Sequence, residues 1–419
     1  MLKEYFHNVK LRSKLLNCFR SAGIYTKIKR GNKTTYLYPI IHSIKQKPNE
    51  NRTEIVFTLR NGQDPKTFID KRYCFNQYFG STIDIKGDIK KFVLNVYDKP
   101  LETNLTYSYP EILPYIEGMQ LPIVTGKQKN GRYLVLDCFN SPHVIIQGTT
   151  GSGKSSAIRV ILTTLIKYKK PDELDIYCID GKRAEFGLFK KVQHVKEVVY
   201  SNKDARRILQ QVTKAMYERE ALLDTFDVPH IIDLPEEHKQ RYILVAVDEF
   251  IEYLDDKVIM NEIIKISSKG RAVGIFLLAS AQRMDADVMD TKARGNFTIR
   301  MSFKTVDKTN ALLLGTPGAE LIKREQKGRF ILNTGESVEM QSPYLTYDKA
   351  KKMLSSVKPS VTSVGSTLSS EESDTYSKLE VDGDATSQLR VPHVALSNNN
   401  IVDSENERSS EMGSANIFL

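Results

Sequence analysis

The chain has 419 residues, with 61 Lys+Arg against 51 Asp+Glu and 40% hydrophobic residues. That length holds two or three domains of roughly 100–200 residues, and the apolar share supports a packed core, so wholesale disorder and fibrous architecture are excluded. The net charge of +10 is unevenly spread: residues 1–100 carry a clear basic excess, whereas residues 355–419 are acidic. A basic first hundred residues predicts a polyanionic partner, either nucleic acid or a lipid surface.

The opening MLKEYFHNVKLRSKLL alternates charged and apolar residues and has no signal-peptide core. It reads as a helix packed on the protein, with a basic amphipathic helix lying on a membrane as the other reading. Residues 1–105 then mix short strand-like runs with polar turns. Glu54–Leu59 reads as a strand, Asn61-Gly62 as a turn, and Asp64-Pro65 as the start of a helix running to about Phe79. Gly80 ends that helix, and Phe92–Tyr97 reads as a further strand, giving a small basic α+β domain.

From 106 to 354 the rhythm changes. Val144–Gln147, Asp175–Ile179, Tyr242–Val247 and Ile275–Ala281 are β-branched or apolar runs of buried-strand length. Helix-length segments such as Ser155–Lys169 and Asp204–Thr225 lie between them. This alternation predicts an α/β domain with a parallel sheet covered by helices on both faces. Residues 355–419 are rich in Ser, Asn and acidic residues with few large apolar positions, and are expected to be a disordered tail. No stretch reaches about eighteen apolar residues, so no membrane span is expected. The four cysteines, Cys18, Cys74, Cys138 and Cys178, lie far apart and suggest neither a zinc site nor a disulfide framework. Both features fit a cytoplasmic protein, at most peripheral at the inner face of the cell membrane.

The strongest motif is HVIIQGTTGSGKSS, His143 to Ser156. Within it Gly148, Thr149, Thr150, Gly151, Ser152, Gly153, Lys154 and Ser155 fit G-x-x-x-x-G-K-[ST], and Ser156 follows. A buried strand delivers the chain to a Gly-rich turn whose backbone N–H groups wrap phosphate oxygens, and the helix behind it adds its positive end. Lys154 is placed to reach the β- and γ-phosphates of ATP, and the Ser155 hydroxyl to ligate Mg²⁺. The partner signal is RYILVAVDEFIEYL, Arg241 to Leu254. Asp248 at the end of its apolar run is the second candidate for the Mg²⁺ shell, and Glu249 the candidate to polarise the attacking water.

Two further strand ends carry polar residues, as expected where ligands gather at the carboxyl ends of a parallel sheet. One is Asp180-Gly181-Lys182-Arg183, where Asp180 and Lys182 fit either a structural ion pair or a site role. The other is Gln282-Arg283, where Gln282 is placed to hydrogen-bond the γ-phosphate or the water.

Taken together these residues resemble the FtsK/SpoIIIE-type DNA translocases, over about residues 54–345. The resemblance runs through Leu121–Ile158, Cys178–Phe186, Tyr242–Leu254, Lys269–Arg283, Ala293–Phe303 and Gly318–Ile322. It implies a RecA-like P-loop ATPase core that works as a homo-hexamer and pumps double-stranded DNA. It also implies an arginine acting on a neighbour's nucleotide, for which Arg271 is the candidate and Arg294 and Arg300 the competitors. The membrane spans and C-terminal winged-helix module of cell-division members are not matched. Short motors of this kind resemble those of Gram-positive conjugative elements and plasmids, which implies a relaxase or a transfer-channel protein as partner. A protein-secretion ATPase and an ATP-dependent replication or partition factor are the alternatives.

Overall fold

The computed structural model describes residues 2–284 and 291–355. Apart from Ser355, the expected tail lies outside the described residues.

The first hundred residues build helix α1 (Leu2–Ser21) and the hairpin β1 (Thr26–Arg30) and β2 (Lys33–Leu37). Strands β3 (Ile40–Lys47) and β4 (Arg52–Thr58), helices α2 (Lys66–Asp70) and α3 (Arg72–Phe79), and strands β5 (Ile83–Lys86) and β6 (Lys91–Tyr97) follow. Four strands form an antiparallel sheet in the order β3-β4-β6-β5. Strand β4 alternates buried Thr53, Ile55 and Phe57 with half-buried residues, the period of a strand with one face on a core. Leu15, Cys18 and Phe19 of α1 pack into that core beside Phe57, Phe68 and Phe75. Burying each large apolar side chain of this kind contributes about 1.5–3 kcal/mol. The opening helix is thus packed on the protein over its second half, while Tyr5, Phe6 and Val9 remain exposed.

The helix expected from Asp64 to Phe79 is in fact two, broken at Lys71. In one continuous helix Phe68 and Phe75 would stand about 10 Å apart along the axis. The break brings their rings to 5.5 Å and lets Phe68 stack on Phe57 at 5.4 Å. Core packing outweighs local helix continuity here.

The second body opens with helix α4 (Tyr109–Ile116), strands β7 (Pro122–Lys127), β8 (Tyr133–Asp137) and β9 (Val144–Gln147), and helix α5 (Lys154–Tyr168). Strands β10 (Leu174–Asp180) and β11 (Val195–Val199) lead to helix α6 (Asn202–Phe226), strand β12 (Tyr242–Asp248), helix α7 (Lys257–Lys269) and strand β13 (Ile275–Ala281). The chain continues through α8 (Thr291–Asn296), β14 (Ile299–Phe303), α9 (Lys308–Leu313), β15 (Arg329–Asn333), β16 (Ser337–Gln341) and α10 (Tyr347–Met353).

Ten strands form one sheet in the order β11-β10-β12-β13-β9-β14-β15-β16-β7-β8. The first six are mutually parallel. From β14 onward every pairing is antiparallel. The parallel sheet expected from the sequence is present as these six strands, and four antiparallel strands extend it. Its three central strands β9, β12 and β13 are buried at every residue and almost wholly apolar, with Gln147, Asp248 and Ser280 at or next to their carboxyl ends, as strands covered on both faces require.

Strand β13 lies between β9 and β12. At the amino end of this trio His143 is fully buried in a left-handed conformation (φ 61°), and its Nδ1 accepts the Leu277 N–H at 3.1 Å. Burial pushes the imidazole down to about 4.

Candidate functional site

The carboxyl ends of β9, β13 and β12 meet at one cavity of about 680 Å³. Strand β9 delivers Gly148, whose N–H donates to Ala281 O at the end of β13 (3.1 Å). Gly148, Gly151 and Gly153 all have positive φ. Two of them leave no room for a side chain. A Cβ on Gly148 would stand 2.7 Å from Phe303 and Ser152 side-chain atoms, and one on Gly153 would stand 2.9 Å from the Gly328 backbone. The loop is tied down by Thr149 N–H to Lys304 O (2.9 Å) and Gly328 N–H to Ser152 O (2.8 Å).

Helix α5 starts at Lys154 with Gly153 as N-cap and no side-chain cap. Its first N–H groups are therefore left to a ligand, and the helix end favours an anion. The buried Ser152 hydroxyl also has no hydrogen-bond partner among the described residues. These features fit a nucleotide phosphate chain. Ser155 lines the cavity at the start of α5. Ser156 is used differently: its hydroxyl accepts the Leu345 N–H (2.8 Å) and donates to Pro343 O (3.3 Å).

Lys154 is buried and reaches two carboxylates, with Nζ 3.4 Å from Glu249 Oε2 and 3.8 Å from Asp248 Oδ1. Lys182 Nζ lies 3.1 Å from the same Glu249 oxygen and 3.7 Å from Glu252. Glu249 Oε1 accepts the backbone N–H of Gln282 at 3.0 Å. Burial alone would raise the Glu249 carboxyl, but the Gln282 N–H and the two lysines outweigh it and hold it below the usual carboxylate range. Glu249 also adopts a left-handed backbone (φ 49°), a cost borne at sites that aim a side chain. Ser280, one residue before the end of β13, donates its hydroxyl to Asp248 Oδ1. Because β13 separates β9 from β12, Gln282 falls between the glycine loop and Glu249.

Asp180 and Lys182, level in the sequence, take different parts. The buried Asp180 carboxylate accepts the N–H groups of Ala184, Glu185 and Phe186 at 3.0–3.2 Å and so shapes its loop. Lys182 joins the site.

Arg271 does not join it. It sits in the turn before β13, at the opposite end of the strands, where its Nε donates to Phe139 O (2.9 Å). The Arg300 guanidinium donates to Phe297 O (2.8 Å) and Arg294 O (3.1 Å), and burial lowers it. Arg294 donates to Leu313 O at 3.5 Å.

Two parts of the cavity wall escaped the sequence reading. Arg159 pairs with Glu185 (2.7 Å) and donates to Leu345 O (3.1 Å). Its spacing of four from Ser155 puts both on one helix face, a signal that was available. The other part is the segment that joins the two bodies. Thr103–Thr106 line the cavity, Thr106 bridges to Tyr344, and Arg329 donates to Leu101 O (3.2 Å) and Glu102 O (3.4 Å). Tyr344 N–H donates to Leu105 O and Tyr107 N–H to Tyr344 O.

Among the described residues no group of three or more His, Cys, Asp or Glu side chains gathers to hold a metal. A hydroxyl and one carboxylate, Ser155 and Asp248, suit a hard ion that takes its remaining ligands from phosphate and water. No helix among the described residues is long and apolar enough to cross a membrane.

Residues 116–237 match the FtsK/SpoIIIE family. The chain is 32% identical over 213 residues to DNA translocase FtsK of Borreliella burgdorferi, covering 48% of this chain and 27% of that protein. It is 33% identical over 219 residues to DNA translocase FtsK of Chlorobaculum tepidum, again covering 48% and 27%. The chain thus spans only about a quarter of the length of these relatives. Among solved structures it resembles the pCW3 conjugation coupling protein TcpA, solved as a monomer with ATPγS, at 22% identity and a TM-score of 0.56. That match covers 82% of this chain and 98% of the other. EssC (ATPases 2 and 3) from Geobacillus thermodenitrificans gives 16% identity and a TM-score of 0.54, over 62% of this chain and 52% of the other. Residues 116–237 thus carry a domain of the FtsK/SpoIIIE family.

Proposed function

We propose that the chain is an ATP-driven double-stranded DNA translocase that works as a homo-hexamer. Its task is moving DNA for conjugative transfer or for maintenance of a mobile element or plasmid, with a relaxase or transfer-channel protein as partner. The motor occupies residues 106–354 and the small basic domain residues 1–105. The observation that carries this reading is the convergence of Lys154, Asp248, Glu249 and Gln282 on one cavity behind a glycine loop.

In this reading the loop N–H groups and Lys154 bind the ATP phosphates. Ser155 and Asp248 would hold Mg²⁺, which would supply charge neutralisation to the phosphates. Glu249, kept ionised, orients and polarises the attacking water, and Gln282 beside it reports on the γ-phosphate. No covalent intermediate is needed, because positioning and charge stabilisation supply the catalysis. Arg271, at the opposite end of the strands from its own cavity, is our candidate for the arginine that the family resemblance implies acts on a neighbouring subunit's nucleotide, with Arg294 and Arg300 as competitors. The names of the relatives, DNA translocase FtsK and a conjugation coupling protein, favour DNA as the cargo, as does the basic first hundred residues.

The test is ATP hydrolysis with and without duplex DNA, together with displacement of a third strand from a triplex. Duplex of any sequence should stimulate hydrolysis, the stimulation should weaken steeply with salt, and the third strand should be displaced only with ATP. Hydrolysis indifferent to duplex and salt would overturn the reading in favour of polypeptide export. Duplex binding without turnover would favour a replication or partition factor.

A further inference from the structure

The hairpin β1–β2 has no core of its own. Residues 27 to 36 are exposed without interruption, on both faces of the ribbon. It carries Lys27, Lys29, Arg30 and Lys33 and no acidic residue. None of the four cations is ion-paired among the described residues; Lys27 only overlies the Tyr25 ring at 5.8 Å. Arg30 and Lys33 are direct cross-strand partners, an arrangement in which like charges repel. An isolated two-stranded hairpin is marginal in water, and this charge pattern weakens it further.

Its root, by contrast, is held firmly. Ile24 N–H donates to Phe19 O at 2.8 Å. Tyr25 packs edge-on against Tyr36 at 5.0 Å and Tyr38 at 5.9 Å, and Arg20 Nε donates to Tyr38 Oη at 3.1 Å. Gly31, with φ 60° at the first of two loop positions, closes the tight turn that keeps the strands paired. The result is a braced root with a protruding cationic arm.

The register separates the charges by face. Lys27 and Lys29 share one face with Thr34 and Tyr36, whereas Arg30 and Lys33 share the other with Ile28 and Thr35. A ribbon with cations on both faces matches a groove walled by phosphates on both sides, and the major groove of duplex DNA, about 12 Å wide, admits a two-stranded ribbon. A bilayer would need a contiguous apolar face or an apolar tip. Here the large exposed apolar residues, Ile28 and Tyr36, lie on opposite faces, and the tip is Gly31-Asn32.

We propose that β1–β2 is a DNA-contacting arm that enters the groove of the duplex and holds its phosphates, outside the ATP-hydrolysing body. This rests on the duplex-DNA reading given under Proposed function. The test compares the full chain with a variant carrying Lys27→Ser, Lys29→Ser, Arg30→Ser and Lys33→Ser, all at exposed positions. A second variant exchanges Lys for Arg and Arg for Lys at the same four sites. Duplex affinity is measured across a salt series, and hydrolysis is measured without DNA.

The serine variant should bind duplex at least about tenfold more weakly near 100 mM salt, and its log–log salt slope should fall by about 3, as loss of up to four phosphate contacts implies. Hydrolysis without DNA and the melting temperature should be unchanged, and the exchanged variant should retain the slope. If the unmodified chain binds duplex and the serine variant keeps the same slope, the arm assignment fails alone. If the unmodified chain binds phosphatidylglycerol vesicles more tightly than duplex, and the serine changes abolish that binding, the arm is a membrane contact and the proposal is overturned. If the unmodified chain does not bind duplex at all, the functional reading fails and the arm assignment falls with it.

Discussion

Acidification from about pH 8 to about pH 5 should destabilise the ten-stranded body through the imidazole of His143. Its nitrogen Nδ1 accepts the Leu277 N–H, so it must stay unprotonated in the folded state. Burial lowers its folded value from the ordinary 6.5 to about 4. The unfolded chain therefore takes up this proton first. The stability it supports is fully present above the ordinary value and is lost as the pH falls towards the folded one. At about 1.4 kcal/mol for each unit separating pH from the unfolded value, the loss by pH 5 is about 2 kcal/mol. His143→Asn removes the titration, retains a side-chain oxygen that can accept the Leu277 N–H, and tolerates the left-handed backbone. Urea denaturation of both proteins at the two pH values gives the comparison, in which all other titrating groups cancel. The unmodified protein should lose about 2 kcal/mol more than the variant over this interval. Equal losses would refute the argument that this buried imidazole is kept neutral by the fold.

Lys154→Ala should abolish ATP binding, whereas Glu249→Gln should retain binding and slow hydrolysis by about 10²–10⁴-fold, as read by nucleotide titration and phosphate release. Hydrolysis at the unmodified rate by Glu249→Gln would remove that carboxylate from the mechanism. Arg271→Ala should cripple turnover while sparing ATP binding, because it lies at the opposite end of the strands from its own cavity. Mixing Arg271→Ala with Glu249→Gln subunits should restore part of the hydrolysis, and no recovery at any ratio would count against action in trans.

The buried runs that became β9, β12 and β13 were legible because every position but the closing Gln147 and Asp248 is apolar or small, the pattern of a doubly covered strand. The glycine loop was legible because phosphate chemistry constrains its spacing, and Asp248-Glu249 because they close an apolar run. The antiparallel half was not legible. Lys127 of β7 pairs with Gln341 of β16, a contact between distant segments that local periodicity does not carry. Nor does periodicity reveal that β13 inserts between β9 and β12, which is what sets Gln282 beside Glu249. The break at Lys71 had no Gly or Pro to signal it and follows from the aromatic stack it permits. Asp180 resembled a site residue because it ends a buried strand, yet three backbone N–H groups occupy its carboxylate.

The segment that leads out of the small domain is not a slack tether. Arg329 grips the carbonyls of Leu101 and Glu102, and Leu105 and Tyr107 are stitched to Tyr344, so the same few residues are at once a hinge strap and a wall of the nucleotide cavity. A strap fastened at these points cannot swing independently. The strap therefore ties the cavity wall to the part of the chain that bears α1 and the cationic hairpin. Lengthening it with a glycine insertion after Thr103 would loosen this tie and leave the direct contacts Asn51–Asn130, Arg132–Asn49 and Lys86–Glu336 to hold the first hundred residues in place.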